Sequence, residues 1–220
     1  MIGAAAVWDN AYALEVLPEL LAAFVVTLQA VLGGTVIALV IGLALCVARR
    51  SPRRLLSWST AGLVEMVRST PLLVQLLFAY ALISTMSPLA IGIAVLGLHY
   101  GCYISEVYRA GIDGVPRGQW EAARALNLTR TQTYRRVVLP QAIPPVLPAL
   151  GNYVISMFKD TPMLLAITVV EVLGQAKVAG NRDFRYVEPL TLVAALYLVS
   201  SLLSSRGITW LERRAARVAR

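Results

Sequence analysis

The chain of 220 residues is 58% hydrophobic and only 15% charged. Soluble domains are about 45–50% apolar and about 25% charged, so this composition indicates a membrane protein and excludes a disordered chain. Two cysteines are too few for a disulfide scaffold, and the length allows one domain, without a separate enzyme. A net charge of +8 in a soluble protein would suggest nucleic-acid binding, so the positions of the charges decide what it means here.

Five hydrophobic segments are long enough to cross a bilayer as helices, which takes about 20 apolar residues. They cover residues 19–47, 55–83, 88–110, 134–173 and 187–210. The second is interrupted at Arg68-Ser-Thr-Pro71. The fourth is rich in proline and breaks at Lys159-Asp-Thr-Pro162, with residues 163–173 continuing as a second apolar piece. We therefore predict an all-α membrane protein with a single five-helix core at residues 19–211.

Residues 1–18 differ from a signal peptide because they lack a basic start and carry Asp9 and Glu15. Trp8, Tyr12, Leu14 and Leu17 are typical of a helix that lies at the membrane surface. We predict a short interfacial helix in this segment, ahead of the first span.

Basic residues gather after the first span, between the third and fourth, and after the fifth. They are Arg49, Arg50, Arg53 and Arg54; Arg117, Arg124, Arg130, Arg135 and Arg136; and Arg213, Arg214, Arg217 and Arg220. With five spans these three places share one side, which the positive-inside rule makes cytoplasmic. The N-terminus is thus predicted outside and the C-terminus in the cytoplasm, and topology explains the charge without nucleic acid.

The cytoplasmic stretch 117–130 predicts a short surface helix between the third and fourth spans. Glu121-Ala122-Ala123 are good helix formers, and Asn127 suits a left-handed helix end. Small residues allow close docking, and the charged residues remain available to a partner. Composition by itself favours the simpler interpretation, a surface helix that only links two spans.

This stretch resembles the EAA loop of ABC-importer permeases. In that loop Glu-Ala-Ala and three further residues precede a glycine, and an Ile-x-Leu-Pro ending follows. Here Asn127 stands in the glycine position and Val137-x-Leu139-Pro140 forms the ending. Both departures are mild, since asparagine also tolerates positive φ.

The resemblance implies a coupling helix that docks in a groove of an ATPase subunit. The implied coupling residues are Gly118, Trp120, Glu121, Ala122, Ala123, Arg124, Leu126 and Asn127.

Residues 65–75, 106–112 and 159–164 resemble the permeases for polar amino acids, which have five spans. The likeness covers about residues 19–211 and implies the type I ABC importer permease fold. Residues 96–100, 151–160 and 184–189 are most similar to permeases for ectoine and hydroxyectoine. The expected cargo is a polar amino acid or an amino-acid-like zwitterion, with ectoine or hydroxyectoine favoured.

The same resemblance implies partners in the cell membrane. These are two ATP-binding subunits that carry ATP and Mg, a second permease chain, and an extracytoplasmic solute-binding protein. The likeness to ectoine systems favours a distinct second permease over an identical one. The binding protein would face the outer loops near residues 84–87 and 177–188.

The chain has no motif for hydrolysing ATP itself. A nucleotide-binding loop needs Gly-Lys-Ser/Thr after a strand, but Lys159 and Lys177, the only lysines, follow Phe and Ala. His99 is the only histidine, which leaves no Ser-His-Asp set and no cluster at metal spacing. We predict a non-enzymatic chain without its own cofactor, driven by a partner.

Charged residues inside spans are costly and mark candidate functional sites. Glu65 and Arg68 are three residues apart and can pair, either along the substrate path or as a neutral pair at the helix break. Glu106 and Arg109 repeat the spacing near the cytoplasmic end of the third span, where snorkelling or contact with the coupling region is favoured.

Lys159-Asp160-Thr161-Pro162 is the strongest candidate for the substrate path. Pro162 removes a backbone donor, and a broken helix exposes polar groups that a translocation cavity tolerates and lipid does not. Lysine beside aspartate offers partners for both charges of a zwitterion. The alternative is an internal Lys–Asp contact that seals the break.

Tyr100, Tyr103 and Tyr153 could add an aromatic wall for a cationic group, with ordinary packing as the alternative. The full set of candidate substrate-path residues is Glu65, Arg68, Tyr100, Tyr103, Tyr153, Lys159, Asp160 and Thr161.

A rival function is a self-contained secondary transporter coupled to protons or sodium. It would use Glu65, Asp160 and Glu171 as an ion relay inside the membrane. Five spans without a visible inverted repeat argue against it.

Overall fold

The computed structural model describes residues 8–218, apart from the side chains of residues 211, 212 and 215–218. In that range the chain is almost entirely helical and contains no strand. The helices are α1 (Asn10–Arg49), α2 (Arg54–Arg68), α3 (Leu72–Leu82), α4 (Pro88–Asp113), α5 (Arg117–Ala125), α6 (Arg130–Thr133), a π-helix (Tyr134–Val138), α7 (Leu139–Asp160), a 3-10 helix (Thr161–Ile167), α8 (Val172–Asp183) and α9 (Val187–Val218). The predicted all-α fold is confirmed.

The first helix begins earlier than the sequence suggested. The Asp9 carboxylate accepts a hydrogen bond from the backbone N–H of Ala11 at 2.9 Å, and α1 then runs without interruption through Pro18. Tyr12, Val16 and Leu20 are buried against α8 and α9, so packing holds these turns in the same helix. The separate interfacial helix predicted within residues 1–18 is therefore wrong for residues 10–18, and residues 1–7 lie outside the described part of the chain.

Helices α1 and α4 form the centre of the fold, and small residues let them approach closely. A Cβ added at Gly97 would overlap the side chain of Ile37, and one at Gly101 would come within 3.0 Å of Ile41 Cγ2. Beside this contact, a core of buried apolar side chains includes Leu76, Leu96 and Leu164. The pair α1 and α4 is thus the frame on which the broken helices pack.

Two of the predicted spans are broken helices. Helices α2 and α3 meet at 105° across Ser69–Pro71, and α8 is bent by 52° from α7 and its 3-10 extension. Three helices are long and apolar enough to cross a membrane, and the described residues supply five spans if each bent pair counts as one.

The second piece of the fourth span differs from the prediction. It begins at Val172 and not at residue 163, because residues 161–167 form a 3-10 helix that ends at Thr168 with φ 66°. The left-handed Thr168 turns the chain before Glu171 starts α8.

Replacing Gly97 with alanine is expected to lower the melting temperature of the purified protein. The added methyl group would press on Ile37, and overpacking of this kind costs about 1–3 kcal/mol. Gly62→Ala is the matched control: a Cβ there meets nothing within 4 Å, so it should leave stability unchanged or raise it by about 0.5–1 kcal/mol. Equal melting temperatures for the two variants would contradict the close packing of α1 on α4.

Candidate functional site

Three tyrosines from α4 and α7 form one aromatic cluster beside the two helix breaks. The ring centroids of Tyr103 and Tyr153 are 5.6 Å apart, and those of Tyr100 and Tyr153 are 6.1 Å apart. They meet because Tyr100 and Tyr103 are one helical turn apart on α4, which packs against α7. The predicted aromatic wall is therefore present as a geometric arrangement.

Opposite charges stand at the two ends of this cluster. At one end the Arg68 guanidinium lies over the Tyr103 ring, 5.1 Å from its centroid, and the Tyr103 hydroxyl donates to the Arg68 carbonyl. At the other end the Tyr100 hydroxyl donates to the Asp160 carboxylate at 2.6 Å. Arg68, at the end of α2, and Asp160, at the end of α7, are thus joined through tyrosines.

The guanidinium of Arg68 is poorly bonded for a half-buried charge. Its Nε is buried and has no hydrogen-bond partner, and Nη1 lies 3.7 Å from the Glu65 carboxylate. An arginine presents five N–H donors, so this group retains capacity for a further anionic partner.

Gln75 supports the break between α2 and α3, and sequence reasoning missed its role. Its side-chain amide donates to the carbonyl oxygens of Val67 at 2.7 Å and Thr70 at 3.0 Å, at the turn where α2 ends and Pro71 offers no N–H. Its Oε1 lies 3.1 Å from Nδ1 of His99. A glutamine shortly after an interrupted helix was the available signal, but its contacts depend on the 105° turn.

The structure changes the interpretation of two predicted site residues. The side chain of Glu65 is 72% exposed, so it lies at the surface of this chain while still pairing with Arg68. Lys159 is exposed, and within the described residues no carboxylate lies within 4 Å of its amino group. The internal Lys159–Asp160 contact given as the alternative is therefore not formed, and Arg68 is the cation that the fold places at the tyrosine cluster.

Thr161 belongs to a second polar cluster, built around Glu171. Glu171 is fully buried and accepts hydrogen bonds from the Tyr197 hydroxyl at 2.8 Å, the Thr27 hydroxyl at 3.3 Å and the Gly174 N–H at 2.9 Å. Thr161 lies 3.1 Å from the same Tyr197 oxygen and donates to the Phe158 carbonyl. This cluster ties the second helix break to α1 and α9. Glu65, Asp160 and Glu171, the residues of the alternative ion relay, share no hydrogen-bond partner among the described residues.

The stretch predicted to couple with an ATPase contains a helix, α5, held by two anchors. Ala123 is buried, and the Trp120 ring packs edge-on against Tyr134 at a centroid distance of 5.6 Å. Trp120 and Tyr134 pack against the small core of Val115, Val138 and Ala142. The loop is therefore fixed in position by its own hydrophobic core.

Asn127 ends this helix as a glycine would. It has φ 53°, its N–H donates to the Arg124 carbonyl at 2.9 Å, and the Leu128 N–H donates to the Ala123 carbonyl at 3.0 Å. This pair of bonds is the Schellman helix end, which requires a left-handed residue. The tolerance of positive φ expected for Asn127 is confirmed.

One face of α5 remains open. The exposed residues include Gly118, Glu121, Ala122 and Arg124 of α5 and Leu126 directly after it, which is 72% exposed. A leucine left so open beside an alanine and a glycine offers an apolar contact with little steric obstruction. Ala123 faces the core, whereas Leu126 faces outward.

An ion network links the C-terminal ends of the central helices α1 and α4 to each other. Glu106 of α4 pairs with both Arg49 of α1 and Arg109, and Arg109 reaches Asp113 at 3.0 Å. Asp113 also pairs with Arg50. The spacing of Glu106 and Arg109 had indicated one of these pairs, but the contacts with α1 become visible only in the fold.

Comparison with known proteins assigns the chain to a family. Residues 40–217 match the family described as "Binding-protein-dependent transport system inner membrane component". The chain belongs to this family. It is 42% identical over 207 residues to a probable amino-acid ABC transporter permease of Sinorhizobium fredii, with 90% of each chain covered.

Two further relatives cover nearly the same length. A nopaline transport system permease of Agrobacterium fabrum is 35% identical, over 90% of this chain and 88% of its own. A crystal structure of an amino acid ABC transporter with histidines superposes with a TM-score of 0.87 at 32% identity, over 94% of this chain and 99% of that chain. This permease is thus a multi-pass membrane protein and a non-catalytic subunit, and ATPase activity lies in a separate subunit.

Replacing Glu171 with alanine is expected to lower the melting temperature of the permease strongly. The change leaves the buried Thr27 hydroxyl without its acceptor, at about 1–3 kcal/mol, takes one partner from the half-buried Tyr197 hydroxyl, and removes the cap of α8. Ser105→Ala is the control, because the buried Ser105 hydroxyl bonds only within its own helix, to Cys102. Similar melting temperatures for the two variants would argue against a structural role for the Glu171 cluster.

Proposed function

We propose that this chain carries a polar amino acid, or an amino-acid-like zwitterion, into the cytoplasm along the tyrosine cluster between Arg68 and Asp160. Membership of a family of binding-protein-dependent importers supports transport in general terms. The observation that carries the choice of path is the cation and the anion placed at opposite ends of one aromatic wall.

A zwitterion fits these groups by its own charges. Its carboxylate would pair with the guanidinium of Arg68, whose Nε has no hydrogen-bond partner among the described residues. Its cationic group would meet the Asp160 carboxylate and the faces of the tyrosine rings by cation–π contact. A net-neutral solute with separated charges uses both ends, which a simple anion or cation does not.

Among such solutes, we favour ectoine or hydroxyectoine. The sequence likeness at residues 96–100, 151–160 and 184–189 motivates this choice, and two of these stretches contain Tyr100, Tyr153 and Asp160. The relatives are named for other cargo, including nopaline, so amino acids are the alternatives to test.

Energy for transport comes, in this proposal, from two ATP-binding subunits that hold ATP and Mg. We propose that the exposed face of α5, with Glu121, Ala122 and Leu126, docks on one of them. A second permease chain, a distinct homologue in our proposal, would engage the other. The N-terminus lies outside and the C-terminus in the cytoplasm, as the arginine distribution favours.

The ion-coupled alternative predicts transport without an ATPase. In proteoliposomes that contain the complete transporter, we expect uptake to require ATP and the solute-binding protein. Uptake by this chain driven by a proton or sodium gradient would contradict the proposed function.

Arg68→Met and Asp160→Asn are each expected to lower ATP-dependent uptake about ten-fold or more. Each removes a charge-assisted contact, which is worth about 1.5–3 kcal/mol. Uptake of radiolabelled ectoine and of a panel of labelled amino acids in proteoliposomes measures the effect. Lys159→Met is the neighbouring control, because Lys159 is exposed, and it should leave uptake close to wild type. Equal losses in all three variants would contradict the assignment of Arg68 as the substrate cation.

Ala122→Trp is expected to uncouple the transporter without unfolding the permease. Ala122 is exposed, so the large ring fits this chain but would obstruct a partner surface at α5. We expect reduced co-purification of the ATPase subunits with an unchanged melting temperature of the isolated permease. The control is Arg54→Trp, an exposed position outside the coupling loop, which should retain the ATPase. Full retention of the ATPase by Ala122→Trp would contradict the docking proposal.

A further inference from the structure

Phe184, at the end of α8, has an unusual combination of backbone conformation and exposure. Its φ is 53°, the left-handed region that bulky side chains rarely adopt, and its side chain is 88% exposed. Glycine is the usual residue at such a helix end because it carries no strain there. Phe184 thus combines a strained backbone conformation with an exposed apolar side chain, and both are unfavourable in the isolated chain.

The turn that presents Phe184 is held firmly on both sides. Before it, Asp183 accepts a hydrogen bond from the Tyr12 hydroxyl at 2.9 Å and pairs with Arg182 at 3.0 Å. After it, the Arg185 N–H donates to the Gly180 carbonyl, and the Tyr186 ring packs where a Cβ of Gly180 would stand. The Phe184 ring is therefore presented by a fixed turn.

The charges around this turn are matched with one another. Arg182 pairs with Glu19 at 3.0 Å, and Arg185 pairs with Asp9 at 3.2 Å and Glu188 at 2.5 Å. Hydrogen bonds from the Ala11 N–H and from Arg185 hold the pKa of Asp9 below its usual value, so this carboxylate stays ionised. With its neighbours paired, the apolar ring is the feature of this turn that lacks a partner.

These same ion pairs fix the height of Phe184 relative to the membrane. Glu19 is the last charged residue before the run 20–48, which has none, so it marks the outer end of the first span. Asp9 lies ten positions earlier on the helix, about 15 Å further out at 1.5 Å per residue. Arg182 pairs with Glu19 and Arg185 pairs with Asp9. Phe184 lies between these two arginines in the sequence, so its height lies between the levels of Glu19 and Asp9.

The height of Phe184 distinguishes between lipid and a partner protein as the surroundings of its ring. The headgroup layer of a bilayer is only about 5–7 Å thick on each side, so lipid reaches the level of Glu19 but not that of Asp9. Interfacial lipid contact is also typical of tryptophan and tyrosine more than of phenylalanine. A protein surface on the outer side fits a rigid apolar ring with a rim of paired charges.

We propose that Phe184 is an anchor for the extracytoplasmic solute-binding protein, inserting into an apolar pocket on that partner. The inference rests on the proposed function, which supplies a binding protein at this face. Its paired rim, Arg182, Asp183 and Arg185, surrounds the anchor and excludes water from the contact.

The test uses the complete transporter in nanodiscs, titrated with its purified solute-binding protein while ATP hydrolysis is measured. Phe184→Ala should raise the half-saturating concentration of the binding protein about ten-fold or more, the effect of losing an interface hot spot, and leave hydrolysis without the binding protein unchanged. Phe184→Gly should do the same without lowering the melting temperature, because glycine accepts φ 53°. Phe184→Tyr, which keeps the ring, should remain near wild type.

Trp58→Ala is the matched control, since Trp58 is an aromatic residue with 77% exposure on α2, near the arginines assigned to the cytoplasmic side. It should leave the titration unchanged. Half-saturating concentrations within about two-fold of wild type for both Phe184→Ala and Phe184→Gly would overturn the inference, with lipid contact as the remaining role for the ring. Loss of the second permease chain from these variants would also overturn it, in favour of a subunit contact. Wild-type transporter that does not respond to the binding protein would instead contradict the proposed function.

Discussion

The fold depends on how two interrupted helices satisfy their backbone polar groups inside a membrane. Hydrocarbon offers no hydrogen bonds, so a break within a span is tolerated only where protein or a water-filled path surrounds it. Gln75 supplies side-chain donors to the Val67 and Thr70 carbonyls where α2 ends, and Glu171 accepts the Gly174 N–H at the start of α8. The end of α3 reaches the second break, where the Tyr80 hydroxyl lies 3.4 Å from that of Thr168. Breaks that are held in this way can carry charged side chains into the membrane.

The two polar clusters near these breaks differ in what they leave unsatisfied. Glu171 is buried with three donors, and its neighbours Thr27 and Tyr197 belong to α1 and α9, so the cluster is a closed structural element. Arg68 retains an unpaired Nε, and Asp160 accepts from Tyr100 alone among its side-chain contacts in the described chain. Capacity for a ligand therefore lies with Arg68 and Asp160, which is why we place the substrate path there.

The sequence predicted the parts of this arrangement that depend on local chemistry. Hydropathy predicts the positions of the spans, and proline predicts both interruptions. The spacing of Glu106 and Arg109 predicts their pair, and the tolerance of asparagine for positive φ predicts the left-handed Asn127. Prediction from the sequence failed where a contact depends on the direction in which a side chain points around a helix. Lys159 and Asp160 are adjacent in sequence, yet a step of about 100° around the helix separates an exposed lysine from a residue facing Tyr100. The extension of α1 past Pro18 and the late start of α8 also depend on tertiary packing of Tyr12, Val16 and Val172, which no local pattern reports.

The most direct test of the account is a cryo-EM structure of the complete transporter, trapped with its transported solute in the membrane subunits. The account predicts density for the solute along Tyr100, Tyr103 and Tyr153, with its carboxylate at the Arg68 guanidinium and its cationic group at Asp160. Solute density elsewhere, with the Tyr100–Asp160 hydrogen bond intact and Arg68 Nε still unpaired, would contradict the account.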